Sequence, residues 1–349
     1  MNSKTQDYSC IVTGYEGYED EILRLRNSNR SNTQTRRYLD WRYGEWPDGH
    51  QPRVFWLMSV SGHRVGMASL IFRLYWVNNQ PCHIAVLGDI SLDASVRGKG
   101  LGQKLLQFLS EYIDEHLSDS LAFVIPNVTA QKSLTASGWK VGGKLIPFVF
   151  PLNPTEKLCR LFRSRWLAAS VAWLFRKSVS SILRYHLKEG YSMHMVDEFD
   201  DSFEAFWRDF PKAGLTVRDR GVASLTWRYG NHPHHKFKVA KFVRKGQLWG
   251  YFVLDLSEQY RTCFVYEIIV REQSDVGCMV ALLVEHCNNF EDINTIRLLL
   301  NDCHPYSRGL WRLGFIPRKS QGVFQVYSPN GLAQPAASTW AITFGDKDI

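Results

Sequence analysis

No stretch of the sequence approaches the ~18 consecutive apolar residues that a membrane-spanning helix needs. The opening residues, MNSKTQDYSC, lack the apolar core of an export signal. The seven cysteines, at 10, 82, 159, 263, 278, 287 and 303, form no C-x-x-C pair and are odd in number. That pattern predicts reduced thiols and a cytoplasmic location. Excess charge is scarce as well. A formal net charge of +8 suits an anionic ligand or an anionic membrane surface, and is too modest and dispersed to argue for nucleic acid. What the chain does have is 45% hydrophobic and 13% aromatic residues, enough to exclude wholesale disorder. A chain of 349 residues suits two domains of ordinary size.

Two familiar phosphate signatures are missing too. A Walker loop needs Lys followed by Ser or Thr, whereas Lys99 is followed by Gly100. A dinucleotide fingerprint needs G-x-G-x-x-G with an acid about 20 residues on, and neither is present. In their place stands a strand-like run, IAVLGDISL, then Arg97-Gly98-Lys99-Gly100-Leu101-Gly102, then a helical stretch. Leu101, Leu105, Phe108, Leu109, Tyr112, Ile113 and His116 recur there at helical spacing. Strand, glycine loop and helix start together make an anion site. Glycines let successive N–H groups turn inward, and the unpaired amides and dipole of a new helix favour phosphate.

The chain also repeats itself. YLDWRYGEWPDGH returns as SLTWRYGNHPHH, sharing Trp-Arg-Tyr-Gly around Trp41 and Trp227. LGDISL pairs with VYEIIV, setting Asp89 opposite Glu267, and Gly138-Trp139 has its partner in Gly314-Phe315. The spacing drifts, as loops of unequal length would make it.

Arg97, Gly100 and Gly102 match R-x-x-G-x-G, and with this strand–loop–helix order the chain resembles the GNAT superfamily of acyl-CoA N-acyltransferases. The resemblance covers nearly all of residues 8–152 and, more faintly, 191–329. It implies an α+β fold of two tandem GNAT-like domains, each a mixed, mainly antiparallel sheet flanked by helices. The expected division is 1–152 for the active copy, 153–190 for a basic helical linker, 191–332 for a degenerate copy and 333–349 for a loosely held tail. The W-R-Y-G element looks like a segment of GNAT-like proteins associated with bacterial surface polysaccharide synthesis, although aromatic core packing explains it as well.

From the resemblance, coenzyme A pyrophosphate falls to Arg97, Gly98, Lys99, Gly100, Leu101, Gly102 and Gln103. A backbone N–H near Leu92 would polarise the thioester carbonyl, and Asn127 would contact the cofactor arm. Asp89 is the candidate base for the acceptor amine. Its alternative is an acid that only orients the amine or bonds to backbone, and its direction depends on whether the strand carries a bulge. One departure is plain: the Tyr that many family members use to protonate the thiolate is Leu134 here, with Ser133 and Ser137 nearby.

The second copy reads REQSDVGCMV at the loop position, with Gly277 alone and Glu272 and Asp275 beside it. Two carboxylates repel a pyrophosphate and one glycine cannot build the nest, so this copy is expected to have lost the cofactor. Between the copies, residues 157–188 mix Arg and Lys with Trp166, Trp173, Phe162 and Phe175. Such a helix either lies in a membrane interface at the inner face or docks across the repeats as a packed linker. His232, His234 and His235 read as a surface turn, since no ligand-spaced Cys or carboxylate accompanies them. Cys303-His304 lacks a third partner for nucleophilic chemistry.

The expected function is transfer of an acyl group, acetyl first, from acyl-CoA to a small amine-bearing acceptor, with an amino sugar or surface-polysaccharide precursor preferred. No metal is called for. The alternatives are a silent GNAT-fold scaffold, or a Fem-type aminoacyl transferase that takes its acyl group from tRNA; the intact loop argues against the second.

Overall fold

The computed structural model describes residues 8–347 apart from 48, 291, 330 and 331. The first copy runs β1 (Tyr8–Thr13), α1 (Glu19–Asn27), α2 (Arg36–Leu39), β2 (Arg53–Ser59), β3 (Arg64–Val77) and β4 (Gln80–Leu92). It continues through α3 (Leu101–His116), β5 (Ala122–Val124), α4 (Val128–Ala136) and β6 (Lys140–Pro151). Two linker helices follow, α5 (Thr155–Phe162) and α6 (Arg165–His186). The second copy repeats the order as β7 (Tyr191–Val196), α7 (Asp201–Asp209), β8 (Thr216–Arg218), α8 (Val222–Leu225), β9 (Lys238–Arg244), β10 (Gln247–Ser257) and β11 (Thr262–Val270). It closes with α9 (Val276–Cys287), β12 (Thr295–Asn301), α10 (Ser307–Arg312), β13 (Ile316–Pro317) and β14 (Gly322–Tyr327).

The two sheets are fused through exchanged last strands. The order is β1-β2-β3-β4-β5-β14-β6-β12-β11-β10-β9-β7, so β14 of the second copy borders β5 of the first. Reciprocally, β6 of the first copy pairs with β12 along Leu145–Pro151. The two exchanged strands pair with each other at the centre. Most neighbours are antiparallel; β4–β5 and β11–β12 are parallel.

Periodicity explains the helices. Leu101, Leu105, Leu106, Leu109 and Ile113 form one buried stripe of α3 against Phe55, Leu57, Ala68 and Leu87 of the sheet. Each W-R-Y-G segment is a single π-helical turn, Asp40–Gly44 and Thr226–Gly230, and the two turns meet between the copies.

The tail departs from expectation. Rather than hanging loosely, it packs between the two copies with Trp340 and Ile342 buried. Asn301 bonds both the Trp340 carbonyl and the Ile342 N–H, and Ala341 donates to the Thr216 carbonyl. Apolar side chains two apart in this short segment fill a gap beside Tyr75 and Phe123.

The linker packs by the inner side of α6, where Ala168, Ala172, Val179 and Leu183 are buried. Val179 and Leu183 join the second copy's core with Val280, Ala281 and Val284 of α9.

Candidate functional site

Two parallel strands part company in the first copy. β4 and β5 pair only at Ala85–Ala122 and Val86–Phe123, after which β5 ends and β4 runs on. The opening becomes a cleft of about 510 Å³, bordered by Leu87–Ile90 on one side and Val124–Val128 on the other. Asn29, Arg30 and Gln131 contribute from the first copy, and Leu299, Gln321, Gly322 and Lys347 from the second. Sequence reasoning missed those last four. Gln321, Gly322 and Lys347 reach the cleft with β14 and the tail, and Leu299 comes from β12, which pairs with the exchanged β6; no local pattern announces a strand exchange.

A bulge shapes the wall. Gly88 pairs with Ser69 and Ser91 with Met67, so Asp89 and Ile90 together face the single residue Ala68. Asp89 takes a left-handed conformation, φ 50°, which asparagine and aspartate tolerate better than most residues. Its carboxylate is buried and crowded with donors. Arg26 and Arg30 contact one oxygen. Arg42 Nε, at 3.0 Å, and the Tyr43 hydroxyl, at 2.6 Å, donate to the other. Arg42 and Tyr43 belong to W-R-Y-G, so the motif serves the acid on β4. That partnership was within reach of the sequence, because W-R-Y-G and the acid recur together in both copies.

The second copy builds the matching cluster around Glu267. Arg218, Arg220 and Tyr229 donate to it at 2.7–3.0 Å. Burial pushes the Glu267 carboxyl up, but Arg220 and Arg218 outweigh it and hold the group below the usual carboxylate range. Here the tail closes the space: Thr343 bonds Glu267, and the Gly345 carbonyl accepts from Arg218.

The glycine loop lies beside the cleft. Gly98 and Gly100 have φ of 74° and 77°, a conformation that strains any residue with a Cβ. Space at both is open, with nothing within 4 Å of a built Cβ. Gly100 precedes the first residue of α3, so the loop amides lie at the helix's positive end. Among the described residues, no backbone carbonyl accepts from the N–H groups of Gly98 to Gly102, whereas Gln103 and Lys104 both bond back to Gly100. Arg97 is tied down, its guanidinium bonded to the Leu92 carbonyl at 3.1 Å and to Asn29 Oδ1 at 2.8 Å. Asn29 thus links the loop to the cleft. Lys99 and Gln103 are exposed; Leu101 is buried.

Leu92 lies past the bulge, its N–H directed at Asn29 Oδ1 at 3.5 Å and its side chain against Gly66 and Gly102. The β4 residues that border the cleft are Leu87–Ile90. Asn127 lines the cleft and caps α4, accepting from the Ala130 N–H at 2.8 Å. Leu134 is fully buried beside Trp139, so it faces the core. His232 accepts from the amides of His234 and His235 and packs on Trp41, completing a turn.

At the equivalent loop of the second copy, the anion position is filled. Asp275 is buried and takes hydrogen bonds from Lys188, Tyr191 and Trp249. A Cβ on Gly277 would lie 2.6 Å from the His186 ring, so the end of α6 plugs this turn. Burial works against the Asp275 charge, yet the Lys188, Trp249 and Tyr191 bonds hold its carboxyl below the ordinary range.

The first copy's open amides and glycine cradle fit the pyrophosphate of coenzyme A; the second copy's plugged turn does not. Residues 19–138 match the Acetyltransferase (GNAT) family. No curated protein sequence matches the chain. Among solved structures, a GCN5-related N-acetyltransferase from Anabaena variabilis superposes with TM-score 0.66 at 11% identity, over 92% of this chain and 73% of that one. A probable N-acyltransferase from Enterococcus faecalis gives 0.65 at 8%, over 91% and 72%. A tandem GNAT protein of the clavulanic acid biosynthesis pathway gives 0.53 at 14%, over 92% and 98%. At these identities the structures establish the shared fold. With a family match over residues 19–138 and a duplicated fold throughout, the chain carries a GNAT acetyltransferase domain in its first copy and the tandem GNAT fold over its length.

Proposed function

We propose that the first copy binds an acyl-CoA, acetyl-CoA first among them, and transfers the acyl group to a primary amine. The observation that carries this reading is that, among the described residues, no backbone carbonyl accepts from the amides of Gly98 to Gly102, in a loop that Arg97 ties through Asn29 to the open cleft. These amides, with the charge of Lys99, would hold the pyrophosphate, and Asn127 would meet the cofactor arm along the cleft. The bound group supplies a thioester carbonyl for the amine to attack.

Backbone of the bulge, at Asp89 and Ile90, is the part of β4 available to face that carbonyl. A fixed N–H aimed at developing negative charge typically contributes about 2.7–4 kcal/mol. Asp89 enters as a positioning residue, since both of its oxygens already carry donors and its clamp sets the bulge. The amine proton then leaves to water in the open cleft, and water protonates the leaving thiolate where Leu134 offers no acid.

The acceptor is a small polar amine, with an amino sugar or surface-polysaccharide precursor preferred. Asn29, Gln131 and Gln321 supply amide groups for hydroxyls, and Arg30 and Lys347 add positive charge. Seven free thiols support a reducing, cytoplasmic setting.

The test is release of coenzyme A thiol from acetyl-CoA across a panel of amines. Amine-dependent release that favours amino sugars supports the reading; release independent of every amine rejects it.

A further inference from the structure

α6 carries two apolar stripes. The inner one, Ala168, Ala172, Val179 and Leu183, is buried, with Val179 and Leu183 in the second copy's core. The other faces outward: Trp166, Leu167, Trp173 and Leu174 follow one another at i, i+1, i+7 and i+8, one side of a helix. Their exposures are 76%, 46%, 54% and 56%. Neighbouring α5 adds Leu161 and Phe162, both exposed, and folds against α6. A linker that only joined two domains would need the inner stripe alone. Exposed Trp and Leu in a contiguous row cost solubility unless something covers them.

The charge around the stripe identifies what that is. From Lys157 to Lys188 there are eight Lys or Arg and no Asp or Glu. Arg160, Arg163 and Arg165 stand at the α5–α6 corner, and Arg176 and Lys177 follow the stripe, all exposed. Lys177 Nζ sits 4.9 Å from the Trp173 ring centre, its charge at the edge of the apolar row. A second copy of this chain would bring the same cations against these, which repels. An apolar row rimmed by one sign of charge suits a surface that offers acyl chains beneath anionic headgroups. Trp at the boundary and Arg or Lys reaching outward is the arrangement of helices that lie in such an interface. No helix among the described residues is long and apolar enough to cross a membrane, so contact would be from one side.

We propose that the α5–α6 hairpin seats the protein on an anionic phospholipid bilayer, with Trp166, Trp173 and Leu174 entering the interface. The proposal is independent of the acyl-transfer reading, because the stripe and the cofactor loop share no residue.

Co-sedimentation of the full chain with vesicles tests it, using phosphatidylcholine alone and phosphatidylcholine with one-third phosphatidylglycerol. Binding to the anionic vesicles at low salt, falling at least tenfold without phosphatidylglycerol or in 0.5 M salt, is expected. W166S/W173S/L174S should weaken binding at least tenfold while the thermal midpoint stays put, since these side chains are exposed. R160Q/R163Q/R165Q should do the same by removing charge alone. Equal sedimentation with both vesicle types, no binding, or unchanged binding of both variants overturns the proposal. So does a dimer in sedimentation equilibrium that W166S/W173S/L174S dissociates, because a second copy would then cover the stripe.

Discussion

Trp41 donates its indole N–H to the Trp227 carbonyl at 2.7 Å, and Trp227 returns the bond to the Trp41 carbonyl at 2.8 Å. The two rings stack with centres 4.7 Å apart and planes 10° from parallel. Each is the first aromatic of a W-R-Y-G turn, so the duplicated motif meets itself on the pseudo-twofold axis. The pair fastens the copies where each turn also grips the acid of its own sheet. Trp227→Phe keeps an aromatic ring but removes the N–H donor to the buried Trp41 carbonyl, at about 1–3 kcal/mol. Trp41→Ala adds a cavity and should cost about 3–5 kcal/mol. Urea unfolding checks both, and the double variant should lose less than the sum.

Asp89→Asn tests the clamp. Removing one charge from a buried cluster leaves its guanidinium groups uncompensated, a loss of about 3–5 kcal/mol. A positioning role predicts that the folded fraction retains the wild-type pH–rate profile with reduced kcat. Disappearance of an acid limb, with stability unchanged, would make Asp89 the base instead.

The tail predicts a second stability effect. Trp340 is fully buried between Tyr75 and Phe123, with ring centres 6.3 and 5.3 Å away. Trp340→Ala should cost about 3–5 kcal/mol by urea titration. A loosely held tail would show no change.

These cases also mark what the sequence carries and what it hides. The glycine loop is legible because its shape rests on left-handed backbone that few residues other than Gly permit, at Gly98 and Gly100. The duplication is legible because Trp41 and Trp227, or Asp89 and Glu267, sit in matching contexts. Strand exchange is not, since β6 and β14 would show the same alternation in either sheet. Nor is the burial of Trp340, whose neighbours Tyr75 and Phe123 lie far along the chain. Asp89 shows the middle case: its position follows from the repeat, but its direction depends on a bulge that residue alternation cannot express.

Acid should destabilise the fold through His304. Burial, helped by Arg220, pushes its imidazole down to about 3, against about 6.5 in an unfolded chain. Its neutral form contributes stability that is full above pH 6.5 and lost as pH falls toward 3, because the unfolded chain binds the extra proton. His304→Asn keeps an acceptor for the Tyr306 N–H, which His304 Nδ1 now receives at 3.2 Å. Thermal midpoints from pH 7 to 4 should fall less steeply in that variant than in wild type.

The central claim is that one acyl-CoA binds per chain, on the amides of Gly98 to Gly102, and that the second copy binds none. Calorimetric titration of the full chain with acetyl-CoA tests it directly, alongside a Gly100→Glu, Gly102→Glu double variant whose fold is checked by circular dichroism. One site per chain in the wild type and no measurable binding in the folded variant is the predicted result. Two sites per chain, or unchanged affinity in the variant, would contradict it.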